Sequence, residues 1–202
     1  NTYFDTFDGS LIFRRASYAE SARIDSSGNV LIGTTTQATG ALLTVNGSIK
    51  GVLTLGTSQA STSGTAIDFT SIPSWVKRIT VMFSGVSTNG SSNILIQIGS
   101  GSVTTSGYVS QGSYGSNAFN STAGFILDAG GVAATLRDGS ATLTVVTGNS
   151  WINTSVLSQN GQYASLAGGR LSLGGALDRV RITTANGTDT FDAGTINILY
   201  EG

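Results

Sequence analysis

Two clusters of side chains have the chemistry to recognise a ligand. Tyr108, Tyr114, Asn117 and Phe119 fall between Gly107 and Asn120, and Asn160, Gln162 and Tyr163 form a second group. Aromatic rings stack on the apolar faces of sugars, and Asn and Gln amides donate and accept hydrogen bonds to hydroxyls. These seven residues are the candidate ligand-binding set. The competing reading is that the rings pack loops onto a β scaffold or onto a neighbouring subunit. Trp151, after Gly148-Asn149-Ser150, reads as a packed ring at a strand end rather than a sugar platform, and Trp75 reads as structural.

Catalytic chemistry is narrowly bounded. The chain has no histidine and no cysteine. Ser-His-Asp and Cys-His catalysis, His-ligated zinc, thiolate metal sites and disulfides are therefore excluded. Carboxylates, lysine and tyrosine remain for acid–base work. A glycosidase needs two carboxylates about 5–10 Å apart in a groove, and the stretch from Ser100 to Arg170 offers mainly Asp128 and Asp138. Asp189-Thr190-Phe191-Asp192 places two carboxylates close together, but Ca²⁺ needs about six or more oxygens and no EF-hand spacing follows. That stretch reads as a turn before the last strand. No cofactor and no metal are expected. Lys77, Arg78 and Asp178 read as structural charges that pair across strands or subunits, and exposed pairs are worth little.

The elements that must position these residues are strands. No stretch of 11–18 residues carries a 3.6-residue apolar period; Arg14 to Ala22 comes nearest to a helix. Leu11-Ile12-Phe13, Asn29 to Ile32 and Leu42 to Val45 are short apolar pieces separated by Asp25-Ser26-Ser27-Gly28 and followed by Asn46-Gly47, a hairpin dipeptide. Such strands are too short to bury a core in one chain. Three copies around a common axis could share one. Beyond residue 50 the runs lengthen. Ile79, Val81 and Phe83 share one face, as do Ile94, Ile96 and Ile98 with Gln97 opposite. Ser87 to Ser91 between them reads as a hairpin connection. Thr142 to Val146, Leu171 and Leu173, Val180 to Thr183, and Thr195 to Tyr200 complete about eight strands, spaced by Gly, Asn and Ser turns. Pro73, the single proline, marks the start of a strand. The pattern predicts a β-sandwich, jelly-roll-like, with binding residues on long loops between Ser100 and Arg170.

Composition excludes several classes of partner. Only 10% of the 202 residues are charged, against roughly 25% in typical soluble domains. Hydroxyls and amides keep this surface wet. Net charge is −1 with no basic block, so nucleic acid is not expected as a partner. No apolar run reaches about 18 residues, so no membrane insertion is expected. The chain opens at Asn1 with no Met and no signal-peptide pattern, and is expected to be part of a longer protein.

Two stretches resemble tailed-bacteriophage tail fibres. RIDSSGNVLIGTTT (Arg23 to Thr36) and ALLTVNGSIKG (Ala41 to Gly51) are similar to a segment that leads from fibre shaft to tip. FTSIPSWVKRITVMFSGVSTNGSSNILIQIG (Phe69 to Gly99) and LDRVRITTANGTDTFDAGTINILYEG (Leu177 to Gly202) are similar to the C-terminal tip domain. The resemblance covers roughly half of the chain. It implies a homotrimer at the distal tail fibre of a virion that binds a host-surface glycan or outer-surface protein. Fibre tips that bind axial metal do so through histidines, which this chain lacks.

Together these readings predict an all-β, non-enzymatic, homotrimeric chain. Residues 1–50 would form a short intertwined β shaft segment and residues 51–202 a β-sandwich receptor-binding tip. The alternatives are a tailspike-like carboxylate glycan hydrolase or lyase, and a purely structural fibre connector.

Overall fold

The computed structural model describes residues 3–15, 19–46, 53–160 and 163–202. Every regular element in these residues is a strand. The chain divides into two compact units, Asn1–Val52 and Leu53–Gly202.

The first unit holds β1 (Tyr3–Phe7), β2 (Ser10–Arg14), β3 (Glu20–Ile24), β4 (Val30–Ile32) and β5 (Leu43–Val45), hydrogen-bonded in that order as one sheet. The first three pairings are antiparallel and β4–β5 is parallel. The stretch from Arg14 to Ala22, the nearest to a helix in sequence, belongs with the strands, as the reading of the whole chain as strands and turns expects. Its two ends belong to β2 and β3, and residues 16–18 lie outside the described residues. The β3–β4 turn is built by Asp25, whose carboxylate accepts from the backbone N–H groups of Ser27 and Asn29 and from the Asn29 amide. These local bonds reward the turn conformation directly. They also hold the Asp25 carboxyl below its ordinary value, the Asn29 side-chain bond being the main cause. The Gly47 half of the Asn46-Gly47 turn lies outside the described residues.

Register sorts the apolar side chains of this sheet. Leu11, Ile24, Val30 and Leu43 stand opposite one another in a row across four strands. Phe13, Ala22, Ile32 and Val45 form the next row. Because side chains alternate, both rows share one face. Ile12 and Leu31 point to the other face and are buried there.

The second unit carries β6 (Thr54–Leu55), β7 (Gln59–Ala60), β8 (Ala66–Thr70), β9 (Arg78–Thr88), β10 (Ile94–Ser100), β11 (Ser102–Val103), β12 (Val109–Tyr114), β13 (Asn117–Ser121), β14 (Phe125–Ile126), β15 (Arg137–Thr147), β16 (Ser150–Gln159), β17 (Tyr163–Ser172), β18 (Arg179–Thr184) and β19 (Phe191–Glu201). They form two sheets. The larger runs β13-β12-β17-β16-β15-β9-β19-β6, with β7 also on β19; the smaller runs β11-β10-β18-β8, with β14 also on β10. Ile79, Val81 and Phe83 from the larger sheet and Ile67, Ile94, Ile96, Ile98, Val180 and Ile182 from the smaller join one buried cluster. This is the β-sandwich predicted from the alternating runs. Trp151 is part of its core, and Trp75 packs against it beside Tyr200.

Three expectations need correction. Ser87 to Ser91 does not close a hairpin, because β9 and β10 lie in opposite sheets and this turn crosses between them. Asn89 bonds to Thr190 across the crossing, its N–H donating to the Thr190 carbonyl at 2.9 Å. The segment from Ser100 to Arg170 is not a set of long loops but is largely strand, β12 to β17. Its alternation was hidden because β16 turns Asn153 and Ser155 inward between Trp151 and Leu157, and Gln159 after them. Finally, Asp178 pairs with its sequence neighbour Arg179 rather than across strands, whereas Arg78 does pair across strands, with Glu201 on β19.

Candidate functional site

The β12–β13 hairpin and the start of β17 bring three of the nominated residues together. Tyr114 stacks on Tyr163 with ring centroids 4.3 Å apart and planes at 16°. Phe119 lies on Tyr114 at 6.3 Å and 28°. The three rings are half-buried. Asn117 sits opposite Tyr114 at the hairpin end and is exposed. Asn160, also exposed, ends β16 with φ of 45°, a conformation Asn tolerates better than most residues. Its N–H donates to the Leu136 carbonyl at 3.0 Å. Gln162 lies outside the described residues.

Tyr108 does not belong to this group. It is 1% exposed, and its ring meets Phe125 edge-on at 4.9 Å. Its hydroxyl accepts from the Ile98 N–H at 2.7 Å and bonds to the Thr104 carbonyl at 3.0 Å. The ring therefore presents no surface to a ligand. It staples β10 to the segment leading into β12. Burial raises the Tyr108 phenol to about 12. The neutral form is thus favoured in the folded chain. Its stabilising contribution is complete below the unfolded value near 10 and is lost as pH rises toward 12. Two pH units correspond to about 3 kcal/mol. Alkaline titration of unfolding should show a stability loss of that size across this window, and Tyr108→Phe should remove it while lowering stability at neutral pH, because Ile98 loses its acceptor.

A buried polar layer lies beneath the rings. Asp128 and Arg137 form an ion pair in which both side chains are 0% exposed. Asp128 also accepts from the Ile94 N–H at 2.7 Å, and Arg137 donates to the Thr135 carbonyl at 2.9 Å. Gln159 donates to the Ser165 hydroxyl at 3.0 Å and to the Ala129 carbonyl at 3.2 Å. The same carbonyl lies 3.5 Å from the Tyr163 hydroxyl, which donates to it. Gly130 passes under the rings with φ of 77°; a Cβ there would stand 2.6 Å from the Tyr114 hydroxyl and 2.9 Å from that of Tyr163. Burial raises the Tyr163 phenol, helped by Tyr114 and the Asp128 charge. Sequence reasoning nominated the rings and missed this layer. A signal was present: Arg137 has the same strand parity as the inward-facing Ala141 and Leu143.

The acids that the sequence offered for catalysis or metal binding are occupied. Asp128 is sealed from solvent, so it cannot act as one of two groove carboxylates. Asp138 accepts from the Gly85 N–H at 2.8 Å. Asp189 accepts from Asn186 and Ser92, and Asp192 accepts from the Ser87 hydroxyl. Asp189 thus serves the turn before β19, as predicted, whereas Phe191 and Asp192 of the same stretch already lie in that strand. The described residues contain no cluster of three or more acids suited to a metal ion. None of them forms a helix long and apolar enough to cross a membrane.

A second surface feature lies on the outer face of the larger sheet. A shallow depression of about 460 Å³ is lined by Gln111, Thr142, Thr154, Val156, Leu166 and Gly168. It offers hydroxyls and an amide but no ring for stacking. Compared with known proteins, the chain matches no family model, no curated protein and no solved structure.

Proposed function

We propose that this chain is the receptor-binding tip of a tailed-bacteriophage fibre, acting as a homotrimer on the distal tail fibre of the virion. Its ligand is a bacterial surface glycan, and its role is adhesion rather than catalysis. The observation that carries the reading is the Tyr114–Tyr163–Phe119 stack, with exposed Asn117 opposite Tyr114 in the hairpin and exposed Asn160 three positions before Tyr163. Ring edges and faces supply the apolar contact that a pyranose offers, and the amides meet its hydroxyls. The stack is mounted on paired strands and anchored by a buried ion pair, so little ordering is left for the ligand to impose. The fibre-like sequence of Arg23 to Thr36, Phe69 to Gly99 and Leu177 to Gly202 supports the virion role.

Weak single sites suit such a tip. Linked copies raise the effective concentration, so avidity grows without new contacts. In a glycan array and an adsorption-competition assay, the whole chain should bind bacterial surface saccharide and block infection. Tyr163→Ala and Tyr114→Ala should each weaken binding about tenfold, equal to about 1.4 kcal/mol, with unfolding of the sandwich little changed. Absence of binding to any bacterial surface would sink the reading. Release of reducing ends from host polysaccharide would replace adhesion with hydrolysis.

A further inference from the structure

We propose that the outer face of the larger sheet carries a second ligand site, a trough centred on Arg170 that takes a carboxylate-bearing saccharide. This site is separate from the ring stack. Arg170 lies near the opposite end of β17 from Tyr163 and on the other face of the strand.

Strand register makes the trough. Val109 and Ile152 stand on either side of Arg170, and Gln111 and Thr154 on either side of Gly168. These positions alternate with the buried Ser110, Trp151, Asn153 and Leu171, so they face outward. Gly168 leaves the middle of the face without a side chain. Two further depressions extend the one beside it. One of about 340 Å³ shares Gln111 and Gly168 with it, and one of about 470 Å³ continues from there through Val109 and Arg170. The last adds the hydroxyls of Thr104, Ser106, Ser150 and Ser172. From Ser150 to Val156 along β16 the trough runs about 20 Å at the rise of a strand, which is room for a chain of several sugars.

Charge selects the ligand. Every other arginine of the second unit is paired to a carboxylate: Arg78 to Glu201, Arg137 to Asp128, Arg179 to Asp178 and Arg181 to Asp68. Among the described residues the Arg170 guanidinium has neither an acid nor a hydrogen-bond partner, and no carboxylate lines any of the three depressions. A planar guanidinium offers two parallel N–H donors that match the two oxygens of a carboxylate. A phosphate monoester carries nearly two charges at neutral pH, which one guanidinium leaves part-neutralised. Nucleic acid needs a row of cations, and the trough has one. The remaining lining suits a sugar chain. The hydroxyls and the Gln111 amide complement sugar hydroxyls, and the exposed side chains of Val109 and Ile152 offer apolar contact to the C–H faces.

Calorimetric titration of the whole chain tests the assignment, with tetragalacturonate, its methyl ester and inorganic phosphate as probes. Tetragalacturonate should bind, and its uncharged methyl ester should bind about tenfold more weakly, as loss of a charge-assisted pair requires. Raising salt from about 0.05 M to about 0.5 M should weaken tetragalacturonate several-fold through screening of an exposed charge. Arg170→Gln should weaken it about tenfold. Gly168→Val should weaken it similarly by filling the floor. A Cβ at Gly168 meets nothing nearer than the Asn153 carbonyl oxygen at 3.4 Å, so the fold admits that variant. Tyr163→Ala should leave tetragalacturonate binding unchanged. The inference is overturned if tetragalacturonate does not bind, or binds no better than its methyl ester. Undiminished binding to Arg170→Gln overturns it too. So does displacement by an equal concentration of inorganic phosphate, which would mark a general anion site. Loss of tetragalacturonate binding in Tyr163→Ala alone would move acidic sugars to the rings and overturn the trough. Failure of the ring stack to bind any glycan leaves each of these outcomes readable.

Discussion

Replacing Arg137 by Met should destabilise the sandwich by about 3–5 kcal/mol, the range for removing one partner of a buried ion pair. Arg137 and Asp128 are both fully sealed from solvent. Without the guanidinium, the Asp128 carboxylate keeps one backbone donor, Ile94, and loses its counter-charge. The cost is the desolvated charge left behind, not the attraction lost. That origin can be checked by a second substitution. Asp128→Asn added to Arg137→Met removes the stranded charge and keeps an oxygen for Ile94. The double variant should recover at least half of the loss. Chemical denaturation followed by tryptophan fluorescence measures both, since Trp151 is in the core. In a unit of this size the single variant should also melt roughly 10 °C lower. If Arg137→Met costs less than about 1 kcal/mol, water or rearrangement satisfies Asp128, contrary to the packed geometry. The ligand site should register the same change. Ala129 follows Asp128 directly, and its carbonyl receives Tyr163 and Gln159.

Gly139→Ala should cost about 3–4 kcal/mol, combining backbone strain with overpacking. Gly139 has φ of 141°, and a Cβ there would overlap the Val156 carbonyl oxygen and sit 3.1 Å from the Leu157 Cα. Both obstacles are backbone in the adjacent strand, so neither can swing aside. The position also borders a register shift. β15 pairs Arg137 with Val86 and Gly139 with Phe83, which leaves an extra residue in β9. Asp138 fixes that bulge by accepting from the Gly85 N–H. The bulge keeps Val86 facing inward after Phe83 and opposite Arg137, whose own inward direction follows the alternation of β15. Gly139→Ala should therefore lower the denaturation midpoint far more than Ser140→Ala at the neighbouring position, where ordinary surface substitutions change stability by about 0.5 kcal/mol or less. Equal midpoints for the two variants would show that the strand can shift to admit a methyl group.

Both positions bear on the candidate site. The bulge sets Val86 against Arg137, the ion pair joins Arg137 to Asp128, and the carbonyl of the next residue, Ala129, receives Tyr163. The rings inherit their placement from residues that never meet a ligand. Substitutions in this chain of contacts should alter binding through stability and orientation, whereas Tyr163→Ala should alter it directly.

Much of the fold was legible in the residues alone. Alternation in Arg78 to Phe83, Asn93 to Ile98 and Thr195 to Tyr200 fixed which side chains face the core, because strand geometry leaves only two directions. Asp25-Ser26-Ser27-Gly28 specified its turn through bonds that span a few residues. The absence of histidine and cysteine bounded the chemistry before any coordinates existed. Tertiary structure decided the rest, and the reason is range. Whether Ser87 to Ser91 closes a hairpin or crosses between sheets depends on where β9 and β10 find partners, not on the turn itself. The inward polar residues of β16 broke the apolar period, so the strand became visible only through its pairing with β15 and β17. Of the nominated aromatics, Tyr114, Phe119 and Tyr163 meet because β12 pairs with β13 and β17, while Tyr108, a few positions earlier, turns into the core. Composition determined what kinds of contact this protein can make; only the long-range pairing of strands decided which rings are left to make them.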